Sequence, residues 1–507
     1  MKWRLTSLIA VCFSLSAFPT AASTLYVDLN SANPAPPYSD LTTAATSIQD
    51  AVDAATNGDL ILVNDGVYQK GFQTTSRGIF PSIIDTNRVV IDKPVTVQSL
   101  NGPSAAIING GGIYRCVNLT NGAMLSGFTL MSGVAGWFSL GPPPTITADD
   151  GGGVTGSAFG GGVVSNCVLT GNSATSSGGG AYQVTLINCT LTDNYAQNGG
   201  GAAASKLINC IVASNSTPTV NHSPGQIGTG GGICSCSAIN CAILGNIAWQ
   251  GGGTYGGTEL VNCTIASNSA AFNGGVYLPN YPNPAIYCVA TNCIIYYNSA
   301  GTNANFGAGG VIVQSCTTPM PTSGPGNITN APGFADLPNG DYRLASDSLL
   351  VNSGINAAIT NSTDLDGNPR IVGGTVDIGA YEYQTPTSIL SYAWARQYGL
   401  STDGSADYAD PDGDGMNNWQ EFIAGTNPTN TASVLTMLSA IPNKSLNWVV
   451  VKWQGVNTRT YYILRSTDLT TGFTCIQSNI VGQTGTTTFT DPTATNGAPY
   501  FYRVGVQ

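Results

Sequence analysis

Charged side chains are scarce in this chain of 507 residues. Asp, Glu, Lys and Arg together make up 8% of it, against roughly 25% in an ordinary soluble protein. The formal net charge is −11, and the one histidine is His222. Because a nucleic-acid-binding surface needs clustered Lys and Arg, this balance argues against a nucleic-acid partner. Disorder is also disfavoured, since disordered chains combine high charge with few apolar residues and 42% of this chain is hydrophobic.

Long hydrophobic runs are missing after the first residues. Lys2 and Arg4 precede an apolar run from Leu5 to Phe18, and the small residues TAAS follow. This order is typical of a cleaved signal peptide, and the run is too short to span a bilayer. We therefore predict a signal peptide over residues 1–23, a mature chain without a transmembrane segment, and a protein that is secreted or at the cell surface.

Glycine and cysteine, by contrast, are abundant and regularly placed. The chain contains 64 Gly and 13 Cys. Six cysteines directly follow an asparagine, at successive spacings of 22, 21, 31, 22 and 30 residues: Cys167, Cys189, Cys210, Cys241, Cys263 and Cys293. A period in the twenties is typical of a solenoid in which each turn stacks on the last. Two of the spacings include insertions, Pro218–Thr229 and Leu278–Tyr287.

Each period has the same internal order. Apolar residues alternate on both sides of the Asn-Cys pair, as half-buried strands require. A second asparagine and then a glycine cluster follow, and both residue types tolerate left-handed backbone. We therefore predict turns made of strand, Asn corner, strand and Gly corner, with stacked asparagines bonded along the axis. The cysteines are interpreted as small core residues; disulfides between stacked turns and metal ligation are the alternatives.

The first turns carry a recognisable opening. The stretch SIQDAVDAATNGDLILVNDGVY predicts a short helix after Ser47, ended by Gly58, and a strand over Leu60–Val63. This opening and the turns to about residue 316 resemble the pectin-lyase-like right-handed parallel β-helix. Units such as LTGNSATSSGGGAY resemble the repeats of polymorphic outer-membrane proteins. The predicted fold class is all-β, with a right-handed parallel β-helix over residues 24–385 that has a helical N-terminal cap and a C-terminal cap.

The stretch after these turns, GDYRLASDSLLVNSGINAAITNSTDLDGNPRIVGGTVDIGAYEY, is similar to the end region of choice-of-anchor proteins of the Q type. The residues that carry this likeness are Asp364, Asp366, Gly367, Arg370, Gly374, Asp377, Gly379, Ala380 and Glu382. The resemblance implies an exported surface protein and no particular reaction. We interpret the charges as a salt-bridged C-terminal cap; catalytic carboxylates are the alternative.

Residues 386–431 are predicted to form a linker with short helices and an EF-hand-like calcium loop. In DPDGDGMNNWQE, Gly415 stands at position 6, and positions 1, 3, 5, 7, 9 and 12 are Asp410, Asp412, Asp414, Met416 (through its carbonyl), Asn418 and Glu421. This is the spacing of a twelve-residue Ca²⁺ loop. The segment resembles thrombospondin type-3 and dockerin loops, which implies Ca²⁺ as cofactor and leaves a docking partner for the C-terminal region open. A solvated acidic turn is the alternative.

The last block, residues 432–507, is predicted to be a small β-sandwich. Its strand-like runs are separated by turn residues: LNWVVVKWQ, TYYILRSTDL, FTCIQSNIVG, TTTFTD and PYFYRVGVQ. It resembles a fibronectin type III-like module.

Charges that polysaccharide cleavage needs are sparse in the central turns. Between Asn166 and Cys316 the charged residues are Asp193, Lys206 and Glu259, and the nearest carboxylate pair is Asp149-Asp150. Enzymes that cleave acidic polysaccharides need clustered acid-base groups, so we assign no catalytic and no cofactor-binding residues. Candidate sugar-stacking residues are Tyr277, Tyr281, Tyr287, Tyr296 and Tyr297.

We therefore predict an exported surface protein whose β-helix acts as a non-catalytic, adhesin-like or glycan-binding scaffold. Its partner would be a polysaccharide or another cell-envelope component. A polysaccharide lyase or glycoside hydrolase on the same fold is the alternative, and a structural envelope protein is the second alternative.

Overall fold

A computed structural model describes residues 22–77, 80–136, 149–157, 161–219, 227–257, 259–278, 289–307, 309–443, 448–470, 472–494 and 499–507. Most of the predicted signal peptide, His222 and most of the two insertions lie outside these residues. Within them, no helix is long and apolar enough to cross a membrane.

Three long sheets form the first part of the chain, and consecutive strands of one turn belong to different sheets. Sheet 1 has eleven parallel strands: Thr24–Val27, Leu60–Val63, Thr96–Ser99, Met124–Ser126, Val163–Ser165, Thr185–Ile187, Lys206–Ile208, Ser237–Ile239, Glu259–Val261, Val289–Thr291 and Val311–Val313. Sheet 2 has ten: Gly66–Tyr68, Ala106–Asn109, Thr129–Met131, Val168–Thr170, Thr190–Thr192, Ile211–Ala213, Ala242–Leu244, Thr264–Ala266, Ile294–Tyr296 and Cys316–Thr317.

Sheet 3 has nine strands and is parallel except for its first pair: Gln73–Arg77, Phe80–Ile91, Arg115–Leu119, Val154–Thr155, Ala181–Tyr182, Ala202–Ala203, Ile233–Cys234, Thr254–Tyr255 and Val276–Tyr277. Short parallel strands form a fourth side. Val134–Ala135 pairs with Ser173–Ala174, and Ser269–Phe272 lies between Ile247–Gln250 and Ser299–Thr302 and pairs with both. The predicted all-β parallel β-helix is therefore confirmed.

The repeat period sets the register of this solenoid. In sheet 2, Leu169 pairs with Leu191, and the same position continues through Val212, Ile243, Ile265 and Ile295. All of these side chains are buried in one continuous apolar cluster that runs through the turns. Each turn alone exposes its apolar face, so stacking is what buries the core.

The six Asn-Cys cysteines belong to that core. All six are buried, and no disulfide forms among the eleven cysteines of the described residues. Burial raises the pKa of the Cys167 thiol to about 12. The interpretation as small core residues is confirmed over the disulfide alternative for these positions.

The two asparagines of each turn differ in backbone conformation, and the sequence pattern does not predict which of them is left-handed. The asparagine before each cysteine has left-handed φ values between +50° and +55°: Asn166, Asn188, Asn209, Asn240, Asn262 and Asn292. At the second corner the left-handed residue is the one before the asparagine, for example Asp193 or Ser214. The prediction that the second asparagine itself adopts this conformation is wrong.

The second asparagine instead forms a buried ladder along the axis. The side-chain amide of each one donates to Oδ1 of the next at 2.9–3.2 Å, through Asn172, Asn194, Asn215, Asn246, Asn268, Asn298 and Asn305. The backbone N–H of each also donates to the same Oδ1. The ladder therefore satisfies polar groups at the corners without water.

Close stacking explains the glycine clusters. In the repeat triplets that begin at Gly151, Gly178, Gly199, Gly230 and Gly251, only the first glycine is left-handed, as in Gly199 at φ +62°. A Cβ on the second glycine, Gly200, would lie 2.6 Å from the carbonyl oxygen of Gly231 in the next turn, and closer still to Ser216 O. Glycine is required there by contact between turns and not by backbone dihedral.

The N-terminal helix α1 spans Ile48–Ala54. The hydroxyl of Ser47 accepts a hydrogen bond from Asp50 N at 3.1 Å, and Ile48, Ala51 and Val52 are buried against the first turns. Ala55 is the C-cap and Gly58 lies in the turn beyond, so the helix ends before the predicted glycine.

Residues 334–383, which we call the return segment, do not simply close the end of the solenoid. They begin with an antiparallel hairpin, Phe334–Asp336 with Asp341–Leu344, and include 3₁₀ turns at Leu337–Asn339 and Asn356–Ala358. The segment then runs back across the outer face of sheet 2: Ile355 bonds Asn292, Ala380 N donates to Thr264 Oγ1, and Asn361 donates to Asn209 Oδ1. A lateral strap thus replaces the predicted C-terminal cap for this stretch, while Ile328 pairs with Cys316 at the last turn.

Two short helices and two small sheets complete the chain. Helix α2 spans Tyr392–Gln397 and α3 spans Asn418–Ala424. One antiparallel sheet contains Met437–Asn443, Trp448–Gly455 and Gly485–Asp491; the other contains Thr474–Val481, Thr460–Ser466 and Phe501–Val506. Both sheets contribute to one buried cluster around Trp453 and Tyr461.

Candidate calcium site and the other predicted site residues

The predicted calcium loop folds so that its carboxylates converge. One oxygen from each of Asp410, Asp412 and Asp414 lies within 4.8 Å of the others. Left-handed glycines at Gly413 and Gly415, with φ of +77° and +95°, turn the loop sharply. Their N–H groups donate to Asp410 Oδ1 and Oδ2 at 2.8 and 3.1 Å.

Helix α3 delivers the last two predicted ligands. Asn417 caps the helix in a reciprocal capping box with Gln420, and this start places Asn418 and Glu421 one turn apart. Both residues are 0% exposed. The amide of Asn418 donates to Ala406 O at 2.7 Å, which leaves its Oδ1 as the atom without a partner.

Buried oxygens without partners mark this loop. They are Asp412 Oδ2, Asp414 Oδ2, Asn418 Oδ1 and both carboxylate oxygens of Glu421. Leaving such groups unpaired is costly, and most so when they are charged. Among the described residues, no Lys or Arg forms an ion pair with any of these acids. A cation bound by several oxygens fits this donor set, and Ca²⁺ takes six to eight such ligands.

Electrostatics agree with this geometry. Burial, together with the charges of Asp412 and Asp414, raises the pKa of Glu421 to about 7. A cation would reverse this effect by favouring the ionised carboxylate. Met416 lies between the loop and α3, where its N–H donates to Asp414 Oδ1 and its sulfur accepts from Leu435 N; its predicted ligand role concerns the carbonyl.

The upstream stretch DGSADYAD has a structural role. Asp407 is 5% exposed. Its Oδ2 accepts from Ile389 N at 3.1 Å and its Oδ1 from the Ser388 hydroxyl. Asp407 therefore ties the loop to the chain that leaves the return segment.

The carboxylate pair Asp149-Asp150 also lies in a structural setting. Asp149 is 8% exposed, and Asp150 Oδ1 accepts from Ser177 N at 2.9 Å. The guanidinium of Arg115 donates to the carbonyls of Asp150 and Gly151 at 3.0 and 2.9 Å. These contacts hold neighbouring turns together, and the side chain of Asp149 is buried among them.

The three candidate sugar-stacking tyrosines that the structure describes do not form one surface. Tyr296 and Tyr297 pack together at 4.9 Å between ring centroids, and Tyr297 also packs against Phe334 of the return segment. Tyr277 packs instead on Tyr255 of sheet 3, at 5.1 Å. Tyr281 and Tyr287 lie outside the described residues.

The two insertions leave different corners of their turns. The first follows Thr217, before the sheet 3 strand Ile233–Cys234. The second follows the sheet 3 strand Val276–Tyr277. The two insertions therefore do not occupy corresponding positions in their turns, since one precedes and the other follows a strand of sheet 3.

The charges of the central turns are also dispersed. Lys206 and Glu259 begin strands of sheet 1 that are two turns apart, roughly 10 Å at the usual strand spacing. Asp193 lies at the corner after sheet 2. All three side chains are exposed.

No family model matches the sequence, and no curated protein matches it. Among solved structures, the chain is similar to one titled "Crystal structure of pectate lyase Pel9A", at 16% sequence identity and a TM-score of 0.40, over 72% of this chain and 97% of that one.

Proposed function

We propose that this chain is a non-catalytic, exported surface protein whose β-helix binds glycans or another envelope component. The observation that carries the proposal is the dispersal of Asp193, Lys206 and Glu259 over separate positions of the solenoid. Acid-base cleavage needs two groups on either side of one bond. Stacked turns instead provide a long, nearly uncharged surface of threonine, serine and asparagine, which suits hydrogen bonding to hydroxyl groups.

Export is part of the same proposal. It rests on the order of Lys2, Arg4, the apolar run and the small residues that follow. The absence of disulfides among the buried cysteines is compatible with it, because thiols in a dry core are poor nucleophiles.

We also propose that residues 410–421 bind one Ca²⁺, as a thrombospondin type-3-like loop, and that residues 432–507 are a fibronectin type III-like module. Asp410, Asp412, Asp414, Asn418 and Glu421 would hold the ion through oxygens, with the Met416 carbonyl. Ca²⁺ would supply positive charge that offsets the repulsion of four carboxylates.

Helix α3 would transmit this effect to its neighbours. Phe422 packs against Trp394 of α2, with ring centroids 5.5 Å apart. The guanidinium of Arg459, from the C-terminal sheets, donates to the carbonyls of Phe422 and Ile423 at 2.9 Å each. Fixing Glu421 would therefore steady the helix that joins the linker to the C-terminal sheets.

Binding is tested on the full-length mature protein with Ca²⁺. We expect measurable affinity for at least one polysaccharide on a broad panel of acidic and neutral polymers, measured by biolayer interferometry. If the protein binds no polymer, and its removal from the host changes only the mechanical strength of the envelope, the structural envelope alternative is favoured.

Calcium binding is tested by calorimetric titration of the same protein after chelation. We expect one site per chain, abolished by Asp412→Ala and retained by the matched variant Asp403→Ala, which removes an exposed carboxylate outside the loop. If the unmodified protein gives neither heat nor a thermal shift with Ca²⁺, the loop is an acidic turn.

A further inference from the structure

The return segment forms a pocket where it crosses sheet 2. The pocket has a volume of about 370 Å³. Its floor is sheet 2, through Thr190 and Ile211, and its wall is the return segment, from Thr363 to Gly367. Asn188 and Asn209 line its side. We call it the lateral pocket.

Polar groups in the lateral pocket are held in place by the surrounding structure. Arg343 fixes the carboxylate of Asp366 with two bonds, Nε to Oδ2 at 2.6 Å and Nη2 to Oδ1 at 2.7 Å. Each oxygen of Asp366 keeps a further lone pair. Asp364 has a different role, since its oxygens accept from three backbone N–H groups and so form the turn.

The side of the pocket is set by asparagines with left-handed backbone. Asn188 has φ of +53° and is exposed, and its amide donates to Asn166 Oδ1 at 3.3 Å. Asn209 is tied to the return segment, because its Oδ1 accepts from Asn361. Asn188 therefore presents its side-chain carbonyl oxygen where the return segment no longer covers the row of asparagines that precede the cysteines.

The lining selects a class of ligand. The amide of Asn188, the hydroxyl of Thr190 and the carboxylate of Asp366 can form hydrogen bonds with a molecule that carries several hydroxyl groups. The half-buried side chains of Ile211 and Leu365 can pack against its C–H face. The charged lining residues are Asp364 and Asp366, and among the described residues no Lys or Arg lines the pocket. An anionic sugar is thus repelled, and a neutral sugar is favoured.

The position of the pocket adds a second restriction. On the outer face of sheet 2, one column runs through Thr129, Val168, Thr190, Ile211, Ala242, Thr264 and Ile294. The first four are half-buried and the last three are buried beneath the return segment. The face is therefore open on one side of the pocket and closed on the other, so a chain lying along it must stop there.

We propose that the lateral pocket binds the terminal residue of a neutral oligosaccharide. This rests on the proposed glycan-binding function and specifies its site and ligand class. The closed end predicts recognition of a chain end, and the small volume predicts that the first two sugar residues contribute most of the affinity.

The test uses the full-length mature protein with neutral gluco-, manno-, xylo- and galacto-oligosaccharides of two to six residues, and uronic acid oligosaccharides for comparison. We expect at least one neutral series to bind, with affinities of the disaccharide and hexasaccharide within about threefold, since both fill the same pocket. Affinity that rises with every added residue, or binding limited to the uronic acid series, would overturn the proposal and leave the broader glycan-binding function standing.

Two matched pairs of variants locate the site. Thr190→Trp fills the pocket and should weaken binding at least about tenfold, whereas Thr185→Trp, on an outward position of sheet 1 in the same turn, should not. Asn188→Gly removes the amide but keeps the left-handed backbone and should also weaken binding; Gln183→Gly, with φ of +53° at another corner, should not. Unchanged binding in both pocket variants would refute the assignment. If no glycan of any charge binds the unmodified protein, the proposed function itself fails.

Discussion

Removing one side chain from the buried asparagine ladder should destabilise the solenoid strongly. Asn215 is 0% exposed. Its Oδ1 accepts from the backbone N–H of Asn194 at 3.0 Å and from the Asn194 amide at 2.9 Å, and its own amide donates to Leu191 O at 2.9 Å. In Asn215→Ala, the Asn194 N–H loses its acceptor and one N–H of the Asn194 amide loses its own, while the other still donates to Leu169 O.

The magnitude follows from the number of groups left unpaired. Each buried polar group without a partner costs about 1–3 kcal/mol, so two predict a loss of about 2–6 kcal/mol. Asn188→Gly is the matched control, because Asn188 is exposed and already left-handed. Its substitution should change stability by no more than about 0.5 kcal/mol.

Urea unfolding followed by far-ultraviolet circular dichroism measures the loss, and hydrogen exchange measures it locally. Exchange is the sharper readout, since stacked repeats can open turn by turn. We expect faster exchange at Asn194 and in both adjacent turns of Asn215→Ala. Coincident unfolding curves and unchanged exchange for this variant would refute the argument that the ladder satisfies otherwise unpaired groups.

The remaining predictions concern turn stacking, thiols and the calcium loop. Gly200→Ala should prevent close stacking and lower the melting temperature far more than Gly245→Ala, where a Cβ has nothing within 4 Å and only the left-handed φ of +60° opposes it; equal effects would count against contact as the cause. The exposed Cys475 should react with a thiol reagent in the folded protein, and the six Asn-Cys thiols only after unfolding without reductant; mass-spectrometric detection of bridges among the six would contradict this. In the Ca²⁺-free protein, the pKa of Glu421 is raised to about 7. Protonated Glu421 therefore contributes stability that is fully present below its unfolded pKa, near 4.5, and is lost as the pH rises through 7. With Ca²⁺ bound, stability should instead fall at acid pH, because a protonated Glu421 no longer binds the ion. Melting curves at pH 5 and 8 check both expectations, and a Glu421→Gln variant with unchanged pH dependence would refute the assignment.

Local repetition made much of the solenoid predictable. The spacing of the Asn-Cys pairs fixes which residues stack, and apolar alternation fixes which face the core, so the sheets and the buried cysteines follow from sequence. The two asparagines of a turn were harder, because the same residue type serves left-handed corners and buried ladders. A partial signal distinguishes them: Gly171, Asp193 and Gly245, which tolerate a left-handed backbone, precede three of the ladder asparagines.

The return segment could not be placed from sequence for a different reason. Asn361 bonds Asn209, which is 152 residues earlier in the chain. No local pattern encodes such a contact, and the lateral pocket depends on it. The predicted calcium loop, in contrast, is contained in twelve consecutive residues, so spacing alone predicted the convergence of Asp410, Asp412 and Asp414.

The most direct test of the account is turnover. The purified full-length mature protein, with Ca²⁺, is incubated on the same panel of acidic and neutral polysaccharides that is used to measure binding. We predict binding without release of unsaturated products or new reducing ends. Release of either product would contradict the non-catalytic account and support the lyase or hydrolase alternative, and its loss when Asp149 and Asp150 are both changed to Ala in a variant that still folds would assign the activity to that pair.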